Sequence, residues 1–155
     1  DASGNGYHGT LVNMNPGTDW VTGKINGALD FDGNNDCVNI GNSLSNLTNF
    51  TVAAWANPSS SGIDRQIVSK GNDGSNTQWE LKTATSAGHV DFRAWRSGVG
   101  ASGVRTQLPL PVGAWTHLVG TYDGTDLRVN HCEVFHIIIN GQLFLFINLC
   151  HGHTV

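Results

Sequence analysis

Trp115-Thr116-His117-Leu118-Val119-Gly120-Thr121-Tyr122-Asp123-Gly124 decides the fold class. Its residues alternate in polarity, include β-branched and aromatic side chains, and run into an Asp-Gly turn. That is the signature of a half-buried strand rather than a helix. Two upstream phrases are built the same way: Gly27-Ala28-Leu29-Asp30-Phe31-Asp32-Gly33 and Phe50-Thr51-Val52-Ala53-Ala54-Trp55. Working outward, alternation recurs everywhere and no stretch sustains a helical period. Leu29 shares a face with Phe31, and Val38 with Ile40. Val52, Ala54 and Ala56 oppose Ala53 and Trp55. Gln78–Lys82 and Val90–Trp95 alternate cleanly, and Ser86-Ala87-Gly88 between them reads as a hairpin turn. Ile67–Lys70 ends at the turn cluster Gly71-Asn72-Asp73-Gly74. Pro109-Leu110-Pro111-Val112-Gly113 is a loop, because proline cannot donate within a central ladder. Short, regularly spaced strands with turn chemistry predict an all-β, two-sheet antiparallel sandwich. The 155 residues suit a single domain over 1–155, long enough to bury a core.

Composition narrows the class of function. Only 13% of residues are charged, and the formal net charge is −4. No basic stripe is present, so a nucleic-acid or anionic-membrane partner held by electrostatics is not expected. Arg93, Arg96 and Arg105 read as scattered on a solvated surface. Cys37, Cys132 and Cys150 leave two alternatives open, one disulfide of unspecified pairing or buried free thiols on strands. The chain starts at Asp1 and carries no leader or apolar span, which reads as a processed or excised piece of a secreted or cell-surface protein. Asn46-Leu47-Thr48 and Asn49-Phe50-Thr51 are glycosylation sequons.

The end of the chain changes character. Val134–Leu149 is strongly apolar around Asn140-Gly141, a strong hairpin signal that predicts pairing of Phe135–Ile139 with Gln142–Ile147. The segment is too short and too interrupted to span a membrane. Both faces of the predicted hairpin, within an atypical tail 131–155, are apolar and need covering.

The order and spacing of these phrases resemble the laminin-G-like, concanavalin A-like lectin domains over about residues 1–127. Asp1-Ala2-Ser3-Gly4-Asn5-Gly6-Tyr7-His8-Gly9-Thr10-Leu11 resembles the family's opening glycine-rich loop and first strand. Leu29-Asp30-Phe31-Asp32-Gly33, then Asp36-Cys37-Val38, resemble the next strand pair, with Cys37 where the family usually has an aromatic. Phe50–Pro58 and Trp115–Gly124 fit the pattern. The resemblance implies a jelly roll, often with one structural calcium near a sheet rim, that binds glycans or surface proteins. It implies Asp1, Asn5 and Asp123, with Asp32 behind them, as calcium ligands; the alternative is that these residues cap turns. Ile139-Asn140-Gly141-Gln142-Leu143 is similar to the family's Asn-Gly hairpin. Val129–His136 reads as an insertion, however, and the family's usual closing strands do not follow.

A glycan face needs an aromatic platform with hydrogen-bonding neighbours. Trp95 shares its strand face with Asp91 and Arg93, and Gln78 and Glu80 lie on the polar face of the paired strand. These five form the candidate ligand site, with burial of Trp95 under a loop as the alternative. Trp55, Trp79 and Trp115 are expected in the core, and Trp20 is undecided. His131 and His136, with His151 and His153, are spaced for transition-metal binding, but no third ligand is defined and a solvated tail fits better. Catalysis is not expected: the only glutamates are Glu80 and Glu133, on unrelated segments, and glycoside hydrolysis needs a carboxylate pair at fixed separation. The reading is a non-catalytic, extracellular carbohydrate-binding or adhesion module. The alternative is a structural subunit of an extracellular fibre or surface assembly, self-associating through strand contacts between chains.

Overall fold

The computed structural model describes residues 1–41, 47–71, 78–86, 88–96, 100–139 and 142–154; from Glu133 onward, and at Arg96, it describes backbone alone. The described chain is all-β. Its strands are β1 (Thr10–Val12), β2 (Trp20–Thr22), β3 (Gly27–Leu29), β4 (Cys37–Asn39), β5 (Phe50–Ala56), β6 (Gln66–Lys70), β7 (Trp79–Thr83), β8 (Val90–Arg96), β9 (Gly100–Arg105), β10 (Thr116–Tyr122), β11 (Leu127–Ile139) and β12 (Gln142–Thr154). They fall into two compact units, Asp1–Ser45 and Asn46–Val155.

The first unit holds two short antiparallel pairs, β1 with β4 and β2 with β3. The segments around Leu29 and Val38 therefore pair with different neighbours rather than with each other. Asn26, at φ 58°, turns the β2–β3 hairpin, and the Gly23 N–H donates to its carbonyl at 2.8 Å. None of the unit's described residues is fully buried. Trp20 is 57% exposed and Phe31 50%. Strands of three residues cannot by themselves enclose a core.

The second unit carries two four-stranded antiparallel sheets, in the orders β12-β11-β10-β5 and β6-β7-β8-β9. Alternation decides which face of each turns inward. Val52 on β5, Leu118 on β10 and Leu127 and Val129 on β11 point to one side; Trp79, Leu81, Val90, Phe92, Ala94 and Val104 come from the other sheet. Together with Leu110 they form one buried cluster. Phe50 links the layers, its ring 5.9 Å from Phe92 edge-on and 5.4 Å from Trp79. Trp79 is a core residue, as its face predicts. Trp55 and Trp115, expected in the core, are half-buried and lie outside that cluster.

The β7–β8 hairpin closes where the Ser86–Gly88 turn was read, with Thr83 opposite Val90 and Gly88 at φ 76°; Ala87 itself lies outside the described residues. So do Asn72-Asp73-Gly74 of the preceding turn cluster, the sequon residue Asn46, and Asn140-Gly141. The tail hairpin is longer than read. β11 and β12 pair from Arg128–Thr154 to Ile139–Gln142, with a bulge between Glu133 and Phe135. β10 pairs with β11 only through Leu127–Cys132. Beyond that point the ribbon is two strands wide. Cys132 is disulfide-bonded and its cross-strand register partner is Cys150, while Cys37 is free and exposed.

Candidate functional site

The outward face of β7, β8 and β9 is where the second unit concentrates its charge. Inward positions take Trp79, Leu81, Val90, Phe92 and Val104, so period-2 alternation sends Glu80, Lys82, Asp91, Arg93, Gly103 and Arg105 outward. Register then sets Lys82 opposite Asp91 and Asp91 opposite Arg105. Glu80 faces Arg93, which faces Gly103. Charge alternates both along the strands and across them.

The hydrogen bonds follow that checkerboard. Arg105 grips Asp91 with two donors, Nε to Oδ1 at 2.7 Å and Nη2 to Oδ2 at 3.0 Å. Its Nη1 donates to Ser86 Oγ at 2.8 Å. Arg93 Nη2 donates to Asp91 Oδ2 at 3.1 Å, and Nη1 lies 3.7 Å from Glu80 Oε1. Lys82 Nζ bridges Asp64 Oδ1 at 2.5 Å and Glu80 Oε1 at 3.3 Å. Gln66 Nε2 donates to Glu80 Oε2 at 2.9 Å. Glu80, Lys82 and Asp91 are buried beneath this mesh, while the Arg93 and Arg105 side chains are 32% and 41% exposed.

The electrostatics follow from the pairing. Burial works against the charged form of Lys82, but Asp64 and Glu80 together outweigh it and raise the ammonium above its ordinary value. The hydrogen bond from Lys82, and then its charge, lower Asp64. The hydrogen bond to Asp91 raises Arg105. Three acids (Asp64, Glu80, Asp91) meet three bases (Lys82, Arg93, Arg105), so the face is locally neutral while rich in fixed donors and acceptors.

Gly103 shapes the surface. A Cβ there would lie 2.8 Å from Arg93 Cγ, so glycine lets the Arg93 stem lie across β9. The result is a shallow open depression of about 430 Å³ lined by Asp91, Arg93, Gly103, Val104 and Arg105. Trp95 is half-buried two residues along the same strand face. It sits opposite Ala101, with its backbone N–H donating to Gln78 O at 2.9 Å.

Thus all five candidate ligand residues fall on β7, β8 or the residue preceding β7. Asp91 and Arg93 line the depression, Glu80 lies beneath Arg93 in its ion-pair mesh, and Trp95 and Gln78 lie along its flank. Lys82, Arg105, Gly103, Gln66 and Asp64 were missed. Arg105 was read as a scattered surface charge, yet it binds Asp91 twice. Its pairing with Asp91 comes from the register of β9 against β8, which alternation within either run does not set. The bulge that brings Gln66 opposite Lys82 leaves no comparable trace in the sequence.

The calcium candidates are engaged in local turns. Asp1 Oδ1 accepts from Ser3 N at 2.9 Å, and Oδ2 from Ser3 Oγ at 3.0 Å and Tyr7 N at 2.9 Å. The Asn5 N–H donates to Ser3 Oγ at 3.2 Å. Asp32 Oδ1 caps Asn34 N at 2.8 Å. Their hard oxygen chemistry in exposed loops suits calcium. Asp123 fits less well. Its Oδ1 accepts from Thr125 N and Asp126 N at 3.0 and 2.8 Å, and its Oδ2 takes Arg128 Nη1 at 2.9 Å. Those bonds, the one from Asp126 first, lower its pKa to about 2, and a calcium ion would displace the guanidinium. Among the described residues no three His, Cys, Asp or Glu side chains are grouped to hold a metal ion. His131 is buried on the inner side of β11, opposite Leu118; the other three tail histidines are described by backbone alone.

No helix among the described residues is long and apolar enough to cross a membrane. No curated protein and no solved structure matches the chain. One family model does, Laminin_G_3, over residues 32–144, nearly three-quarters of the chain. With the all-β architecture of several antiparallel sheets, that match places the chain in the concanavalin A-like lectin/glucanases superfamily.

Proposed function

We propose that the chain is a single-domain, non-catalytic carbohydrate-binding or adhesion module of a secreted or cell-surface protein. The checkerboard of Glu80, Lys82, Asp91, Arg93 and Arg105, with Trp95 along the same face, carries this reading. Neutral glycans present neighbouring hydroxyls that each donate and accept. A locally neutral face with fixed donors and acceptors matches them, and an indole supplies a surface for the apolar side of a sugar ring. The superfamily also includes glucanases, so the carboxylates need scrutiny. Hydrolysis requires one carboxyl free to give a proton and another free to attack or to activate water. Asp91 instead spends both oxygens on Arg93 and Arg105, and Glu80 gives Oε2 to Gln66; its buried Oε1 makes no hydrogen bond and is held as an ion pair 3.3 Å from Lys82. A structural calcium at Asp1, Asn5 and Asp32 belongs to the same proposal.

A glycan array probed with the full chain, with calcium and then with chelator, tests it. Binding should drop about tenfold with Trp95→Ala or Arg93→Ala, and no reducing ends should appear when a bound polysaccharide is incubated with the protein. An array with no bound glycan refutes the lectin reading, and released sugar refutes the non-catalytic one.

One observation favours the second reading, a self-associating subunit of an extracellular assembly. Glu133–Ile139 pairs with β12 but not with β10, so about 20 Å of two-stranded ribbon extends past β10. Its sequence is apolar at both alternating sets of positions, and such a ribbon is a template for a neighbouring chain. Light scattering on the full chain and on a Phe144→Lys/Phe146→Lys variant tests it. Particles should be large for the first and small for the second, and a monodisperse full chain refutes the idea.

A further inference from the structure

The outward face of the other sheet carries a separate arrangement that the proposal above leaves unused. Val52, Leu118 and Val129 turn toward the core, so their strand neighbours turn away from it. Register lines these neighbours up in rows. Trp55 stands opposite His117, and His117 opposite Cys132; Ala53 stands opposite Val119, and Val119 opposite Asn130. The Trp55 and His117 rings stack at 4.9 Å between centroids, 30° from parallel. Both are half-buried, while Thr51 and Ala53 beside them on β5 are exposed, so the face is open along this strand.

Trp55 lies on the side of β5 away from the buried cluster to which Val52 belongs. Its surroundings fit a binding platform. His117, from the adjacent strand, packs against one side of the indole and braces it. Ala53 and Val119 form the next row, small enough to leave the stack standing above them, and Asn130 beyond supplies amide donor and acceptor groups. The disulfide-bonded Cys132 ends the aromatic row, so the strand beside His117 is covalently braced. Holding a platform rigid before the ligand arrives removes part of the ordering cost of binding.

The geometry points to a second carbohydrate subsite: the Trp55 indole, braced by His117, stacks against the apolar face of a pyranose ring, and Asn130 hydrogen-bonds its hydroxyls. It lies on a different sheet from the Trp95 face, so one chain would engage two sugar segments and gain avidity on a polymer. The test uses the full chain and neutral hexasaccharides of gluco, xylo, manno and galacto configuration. Indole N–H resonances are followed by two-dimensional NMR, and the Trp55 signal is identified by its loss in Trp55→Phe. In a Trp95→Ala background one hexasaccharide should still shift the Trp55 resonance. His117→Ala should weaken that response roughly three- to tenfold with the fold intact by circular dichroism. A Trp55 resonance unmoved by all four sugars overturns the subsite, whether or not wild type binds through Trp95. So does a shift that His117→Ala leaves unchanged. A shift at Trp55 with none at Trp95 overturns the Trp95 site and keeps this one.

Discussion

Replacing Gly120 by alanine should damage the sandwich by steric overlap alone. Gly120 sits on β10 between Val52 and Val129, facing the core, and its φ is not in the left-handed region. Alanine is therefore free to adopt the backbone. A Cβ at this position would lie 2.6, 2.7 and 2.9 Å from Phe92 Cδ2, Cγ and Cε2. Carbon pairs rest at about 3.5–4.0 Å, so the ring must withdraw by roughly 1 Å. Phe92 is fully buried and braced by Phe50, which packs in turn against Trp79 and Tyr122. Overpacking of a filled core costs about 1–3 kcal/mol, and the reduced freedom of the unfolded chain returns up to about 1 kcal/mol. The expected net loss is about 1–2 kcal/mol, or a fall in Tm of roughly 2–8 °C for a chain of this length. Urea unfolding followed by tryptophan fluorescence measures it. Phe92→Leu in the same background should relieve the clash, giving a coupling energy of about 1 kcal/mol in a double-mutant cycle. A Gly120→Ala protein as stable as wild type, or strictly additive effects, would show that the sheets do not meet at this point.

Lys82→Met should cost about 3 kcal/mol in chemical denaturation, because it removes the nearer cation from the buried Glu80 and leaves it Gln66 and Arg93 at 3.7 Å. Asp64→Asn, at the half-exposed end of its pair with Lys82, should cost under about 1 kcal/mol; equal losses would refute the distinction. Asp123 should titrate at about 2 in carboxyl NMR. Its contribution to the turn is complete above its ordinary value of 3.8 and is lost as pH falls through about 2. A midpoint near 3.8 would mean that the Arg128 and Asp126 contacts do not persist in solution. Adding calcium to chelator-treated protein at a hundredfold excess over Kd should stabilise it by about 2.7 kcal/mol in differential scanning calorimetry, and Asp1→Asn should diminish the gain. An unchanged transition would remove calcium from the proposal.

The strands were legible because alternation is a local signal. Gln78–Lys82 and Val90–Trp95 fall on β7 and β8, and their faces came out as read, with Trp79, Leu81 and Phe92 inward. What was not legible depends on pairing between strands. Arg105 became part of the site only once β9 was registered against β8. Gln66 reaches Glu80 through a bulge whose cause no single residue advertises. Trp55 was misjudged for a different reason. Alternation set it opposite Val52, Ala54 and Ala56 without saying which set turns inward, and the stack on His117 is a contact between strands far apart in sequence. In the first forty residues, three-residue strands carry too few alternating positions to settle their partners.

The Trp95 face poses a question that stability alone does not answer. All five residues of β7 are buried, although only Trp79 and Leu81 of them join the hydrophobic cluster. Glu80 and Lys82 are buried as a paired network instead. Desolvating such groups consumes most of what their attraction returns, and apolar residues of similar volume often stabilise a protein as well or better. A sandwich selected only to stay folded would place threonine and valine there. Charge also does little to draw a ligand from a distance, since three acids cancel three bases. What the network does achieve is fixed orientation. Asp91 is clamped by Arg93 and Arg105, and Arg93 is laid flat over Gly103, so the depression keeps its donors and acceptors in place before anything binds. Preorganised polar groups are worth their desolvation when a ligand must be told apart by the directions of its hydroxyls. Under the proposed glycan-binding function the network serves discrimination, and Gly103 is the residue on which that geometry rests.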